Sequence, residues 1–241
     1  MNNYESHRQE KLAKEHIARK KRFIYQIALW FSIIAGIGLI VGGMIYFVAR
    51  QNLVPTNSLA TIESALASDD WVKGNKDAKM VFIEYSDFQC PACAFYYPLL
   101  KKISEEFGDN LAIVYRHFPL PKHQGAKPMA YAAEAAGKQG KFWEMHDMIF
   151  DNQNKWAVQS QSKIKDIVVE YAKSLELNIE QFEKDFGSKE IEQKVEGHYR
   201  EGVKAGISST PTFFLNGRIL QNPKNYDELR NIINQAIDEN L

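Results

Sequence analysis

The apolar pattern predicts an α/β domain that carries an inserted block of helices and follows a single N-terminal membrane-spanning helix. Three observations lead there. Residues 23–49 form an uncharged run, two apolar strands flank a helix that opens with CxxC, and a long helical tract precedes a late hairpin. The composition agrees, since 45% hydrophobic and 25% charged residues over 241 positions are ordinary values for a globular chain. Two cysteines exclude a disulfide-dense mini-protein and a four-cysteine zinc site. Lys plus Arg and Asp plus Glu both total 30, so the net charge of zero argues against a basic nucleic-acid binder.

The zero hides an asymmetry. Residues 1–22 hold seven Lys/Arg (Arg8, Lys11, Lys14, Arg19, Lys20, Lys21, Arg22) against three acids, whereas the body from residue 70 is mildly acidic. The basic tip adjoins the 27 uncharged residues from Phe23 to Ala49. A helix of that length reaches about 40 Å, enough to cross a hydrocarbon core of about 30 Å with some tilt. Tyr25, Trp30 and Tyr46 lie toward its ends, where interfacial aromatics belong. A cleaved signal peptide is the rival reading. Its apolar region would be shorter, and the small-residue triplet Ala65-Leu66-Ala67 lies well past this run. Positive charge at Lys20–Arg22 keeps residues 1–22 in the cytoplasm and sends everything after residue 50 outside. Gly38 and Gly42 form a GxxxG, and Ser32 with Gly36 a second small pair, spacings that allow close helix approach. Residues 50–69 lack strand alternation and read as a linker. They leave 70–241 for one extracytoplasmic domain with a sizeable core.

Met80 to Tyr85 reads as a buried strand. Phe95 to Phe107 repeats apolar residues at helical spacing and stops at Gly108. Between them stands Cys90-Pro91-Ala92-Cys93, which places Cys90 at the first turn of a helix. A helix N-terminus offers unpaired N–H groups and partial positive charge, and both stabilise a thiolate. Pro91 suits that turn, where its missing N–H costs nothing. Cys93 lies one turn on, close enough to close a small disulfide, with Cys90 attacking and Cys93 resolving. A static structural disulfide, half of a zinc site and a soft-metal carrier are the competing uses of such a pair. The six histidines form no H-x3-H pattern, and no Met/His cluster adjoins the cysteines.

The remaining elements follow in order. Leu111 to Phe118 is a second strand, broken at Pro119. From about 122 to 206 the pattern is helical, with stretches at 129–136, 142–150, 164–175, 179–186 and 191–205. Thr212–Leu215 and Arg218–Leu220 are strands joined by the tight turn Asn216-Gly217, and Tyr226 to Ile237 closes the chain as a helix. Phe142 and Trp143 are expected in the core. His117 and His146 are expected as structural polar residues.

The order strand, CxxC helix, strand, helical block, hairpin, helix resembles the thioredoxin superfamily with a helical insertion, most closely the DsbA-like group of extracytoplasmic thiol–disulfide oxidoreductases. The resemblance covers about residues 70–241. It rests on Cys90–Cys93 after a strand, on Ser209-Thr210-Pro211-Thr212-Phe213, on Glu84 six residues before the first cysteine, and on the Gly140–Asp147 stretch. It implies a thioredoxin fold, a redox-active Cys90–Cys93 disulfide, and a cis proline at Pro211 that presents substrate beside Cys90 together with Thr210. It also implies a buried acid, Glu84, that relays the proton of Cys93. Pro91 and Ala92 occupy a tuning position; many strongly oxidising relatives carry His where this chain has Ala92, which puts a strongly oxidising potential in doubt.

The resemblance also implies cysteine-containing extracytoplasmic clients and a membrane redox partner, either a quinone-linked oxidase or an electron donor. It requires no organic cofactor and no metal. The expected function is disulfide formation by a membrane-anchored enzyme held in the bilayer through residues 23–49. A reductase or isomerase, or a tethered thioredoxin-fold binding or chaperone module, are the alternatives. The oligomeric state is not set by the sequence.

Overall fold

The computed structural model describes residues 66–239 and positions 36, 38, 39, 42 and 43. Those five positions are helical. The rest of the span expected at 23–49, the basic segment 1–22 and the linker up to residue 65 lie outside the described residues. Among the described residues no helix is long and apolar enough to cross a membrane. The chain divides into two compact units, 1–58 and 59–241.

The second unit is built on a five-stranded mixed sheet ordered β1-β3-β2-β4-β5. Its strands are β1 (Trp71–Gly74), β2 (Met80–Ser86), β3 (Leu111–His117), β4 (Thr212–Leu215) and β5 (Arg218–Leu220). β2 runs parallel to β3 and antiparallel to β4, with Glu84 opposite Tyr115 on one side and Phe213 on the other. Both faces of β2 are covered, which is why it reads as a continuous apolar run. The parallel β2–β3 pair requires a crossover, and helix α1 (Pro91–Phe107) supplies it. Pro91 starts α1 and Gly108 ends it at φ 48°, a backbone conformation that suits glycine.

One sheet face packs Phe82, Ile113, Phe213 and Leu215 against Ile103 of α1 and against Leu229 and Ile233 of the last helix. The other packs Ile83, Tyr85, Val114 and Phe214 against Phe118 and Ile207, with Leu66 alongside. Between β3 and β4 stands the insertion: α2 (Ala126–Gly137), α3 (Phe142–Asp151), α4 (Gln153–Trp156), α5 (Gln161–Ser174), α6 (Ile179–Phe186) and α7 (Lys189–Lys204). α2 is Ala-rich because it is crowded by α3, α5, α6 and α7. The closing helix is α8 (Tyr226–Asp238).

Two elements were not expected from the sequence. β1 is only four residues long and exists because it pairs antiparallel with β3 and because Trp71 stacks on Phe142 at 4.8 Å. The single turn α4 is likewise held by tertiary contacts. Its Trp156 is fully buried and donates to the Ile149 carbonyl at 2.7 Å. Phe142 is buried as expected, while Trp143 is only half-buried and donates to the Val72 carbonyl. His117 and His146 are buried. The first is held by Glu134 at 2.9 Å and the second by Asp147 at 2.9 Å.

Candidate active site

The site lies where β2 hands over to α1. Cys90 is the N-cap residue of α1, with extended backbone (φ −76°, ψ 122°) and 7% exposure; Cys93, one turn on, is fully buried. Both are free thiols. Pro91 and Ala92 between them are exposed. The Thr210–Pro211 peptide bond is cis. The Thr210 carbonyl lies 3.3 Å from the Cys90 sulfur, close enough for the thiol to donate to it. The structure thus gathers Cys90, Cys93, Pro91, Ala92, Thr210 and Pro211 at one point of the surface.

The two thiols differ electrostatically. The Cys90 pKa is lowered to about 5, first by a hydrogen bond from the Cys93 side chain, then by the Thr210 side chain and the backbone N–H groups of Cys93 and Ala92, against burial that raises it. Helix-start N–H groups therefore contribute as the sequence suggested, but the neighbouring thiol is the larger influence. The Cys93 pKa is pushed well above the thiol range by burial, by its bond to Cys90 and by the charge that Glu84 acquires only in alkaline solution. The outcome is one thiolate poised at the surface and one thiol held protonated beneath it.

Glu84, from the centre of β2, is 4% exposed. Burial pushes its pKa up to about 8, although Ser86 donates to it at 2.7 Å. It is therefore a protonated acid at neutral pH. A cavity of about 20 Å³ is lined by Glu84, Tyr115, His146, Lys73 and Lys101. That volume admits roughly one water molecule.

Several residues at the site carried no signal in the sequence. Asp87, buried in the β2–α1 loop, accepts from the Gln89 N–H at 2.7 Å and the Leu120 N–H at 2.8 Å, and pairs with His123 at 2.7 Å. Its own N–H points at the Cys93 sulfur, 3.5 Å away. Gln153 of α4 donates to the carbonyls of Phe88 and Cys90 at 2.7 and 3.0 Å. Gln89 joins the loop to the insertion through Gly125 and Ala157. Glutamines have no titratable signature, and these contacts cross more than thirty positions of sequence. Only the Asp87–Gln89 spacing, typical of an Asx turn, was locally readable. Among the described residues no three His, Cys, Asp or Glu side chains cluster as a metal site would require.

Comparison with known proteins agrees with this architecture. The family model described as thioredoxin matches residues 67–235. A Na(+)/H(+) antiporter NhaA 1 of Mycolicibacterium vanbaalenii is 37% identical over 153 residues, which is 61% of this chain and 23% of that protein. The chain spans about a quarter of the length of the curated relatives it matches. Among solved structures, alpha-DsbA1 of Wolbachia pipientis superposes with a TM-score of 0.67 at 20% identity, covering 74% of this chain and 98% of that one. DsbA2 of Pseudomonas aeruginosa superposes with a TM-score of 0.55 at 25% identity, covering 70% and 95%. The two structures share the fold, insertion included. By the match over 67–235, the chain belongs to the thioredoxin family, and its fold is that of the DsbA structures.

Proposed function

We propose that the chain is a membrane-anchored, extracytoplasmic enzyme that exchanges disulfides with protein substrates through Cys90-Pro91-Ala92-Cys93, in the disulfide-forming direction. The observation that carries this reading is the pair of opposed thiols: Cys90 lowered to about 5 beside a Cys93 that stays protonated. A stabilised Cys90 thiolate favours the reduced pair, and a pair that prefers to be reduced is an oxidant toward its clients. The uncharged run at 23–49 and the charge cluster at Lys20–Arg22 support the anchor and its orientation.

In this reading a client thiolate attacks the Cys90 sulfur of the oxidised pair. The S–S bond breaks, its electrons pass to the Cys93 sulfur, and that sulfur takes the proton held by Glu84. A mixed disulfide now joins Cys90 to the client, whose backbone lies along Thr210 and Pro211. A second client thiolate attacks the client sulfur of that bond, and Cys90 leaves as its stabilised thiolate. The client ends with a disulfide and this protein with a dithiol, to be reoxidised by a membrane partner of the quinone-linked kind. Ala92 contributes no side-chain stabilisation, so the potential is expected short of the most oxidising members.

The test is the reduction potential of the pair in the full-length chain in detergent, by equilibration with glutathione and trapping of thiols. A potential nearer about −120 mV than about −270 mV supports the oxidase, and one near about −270 mV makes it a reductase fed by an electron donor. A pair that resists reduction to below about −300 mV is structural and sinks the proposal.

A further inference from the structure

We infer that Asp87 is the positioning residue of the exchange step: its carboxylate locks the loop after β2 so that its own backbone N–H stays aimed at the sulfur of Cys93. This rests on the redox reading of the cysteine pair. Every polar atom of Asp87 is engaged around the site. The carboxylate receives the N–H groups of Gln89 and Leu120 and pairs with the His123 ring. The carbonyl receives the Cys90 N–H at 3.0 Å, and the N–H reaches the Cys93 sulfur at 3.5 Å. Asp87 is 1% exposed, and Leu120 and His123 come from the segment that follows β3. The residue therefore ties three stretches of chain into one rigid corner.

The chemistry gives that corner a task. When a client thiolate attacks Cys90, the Cys90–Cys93 bond breaks and its electron pair goes to Cys93, which departs as a thiolate before it takes up a proton. Cys93 is buried among apolar side chains, where an unsupported thiolate is costly. A fixed N–H donor at the departing sulfur stabilises the charge as it develops, and it needs no reorganisation because the loop already holds it in place. The Ser86 side chain also favours the charged form of this sulfur, whereas Cys90 and Glu84 oppose it. A better-stabilised leaving thiol accelerates attack on a disulfide.

The experiment follows dithiothreitol attack on the oxidised full-length chain at neutral pH by stopped flow, in wild type, Asp87→Ala and Asp87→Asn. Asp87→Ala is expected to slow attack about tenfold, the scale of a hydrogen bond to a charged group, with Asp87→Asn between it and wild type. In a Cys93→Ala background, alkylation of Cys90 by iodoacetamide is expected to stay within about twofold when Asp87 is also replaced, since no thiolate then leaves at position 93. Attack within about twofold of wild type in both variants overturns the inference. So does a parallel fall in attack and alkylation, which would mean that the loop has merely lost its shape. If circular dichroism shows Asp87→Ala unfolded, Asp87→Asn carries the test by the same comparison. A wild-type chain whose oxidised pair dithiothreitol does not attack overturns the redox reading itself, whatever the variants do.

Discussion

Glu84 shows how one buried residue makes the molecule sensitive to pH. Its carboxyl is protonated in both folded and unfolded chains below about pH 4.5, but the folded chain keeps the proton up to about pH 8. Between those values unfolding releases a proton, so stability falls as pH rises through the window and is lowest above it. Glu84→Gln keeps an acceptor for Ser86 and has no proton to lose. The reduced variant is expected to gain on wild type by on the order of 3 kcal/mol between pH 4.5 and 7, read from urea unfolding at each end. Equal pH slopes for the two proteins would sink this account. Cys90 and Cys93 were legible because a CxxC pair at a helix start carries its own chemistry, whereas Thr210, Pro211 and Glu84 were named only through the family resemblance, Thr210 lying 120 positions from Cys90. Asp87, His123 and Gln153 were not legible. Asp87 in a loop reads like any turn former, and its partners Leu120 and His123 lie 33 and 36 positions away.

At the scale of elements, the two cysteines are held from both sides: from β2 and α1 by covalent connection, and from the insertion by Gln153 and by the contacts of Gln89 with Gly125 and Ala157. The insertion is itself fastened to the sheet edge. Trp71 of β1 stacks on Phe142 and donates to Glu134 of α2 at 2.9 Å. Its ring lies against Gly137, where an added Cβ would overlap it. Gly137→Ala is therefore expected to push Trp71 out and to destabilise the domain by about 1–3 kcal/mol, measurable by chemical denaturation. An unchanged midpoint would show that the ring can step aside. The helices and central strands were legible because periodicity marks them directly. β1 was not, since three half-buried residues and an exposed glycine carry no period, and it becomes a strand only where β3 offers a partner. α4 was missed for the same reason.

For the whole molecule, the described core lies within the second unit. Every buried apolar side chain among the described residues lies at or beyond Met80, and the second unit begins at Leu59. A chain starting at residue 59 is expected to unfold cooperatively and to keep the Cys90 alkylation rate of the full-length protein; a collapse of either would show that the first unit supports the second. The ends of the sheet carry a consequence of their own. β1 has four residues and β5 three, while the long strands β2 and β3 lie inside. In the proposed function, an enzyme that handles unfinished polypeptides is constantly offered loose strands in search of a hydrogen-bonding ladder to extend. Borders this short give such a strand too little to zip onto. The proposed clients could then meet the thiol at the helix tip without being templated into aggregates along the sheet.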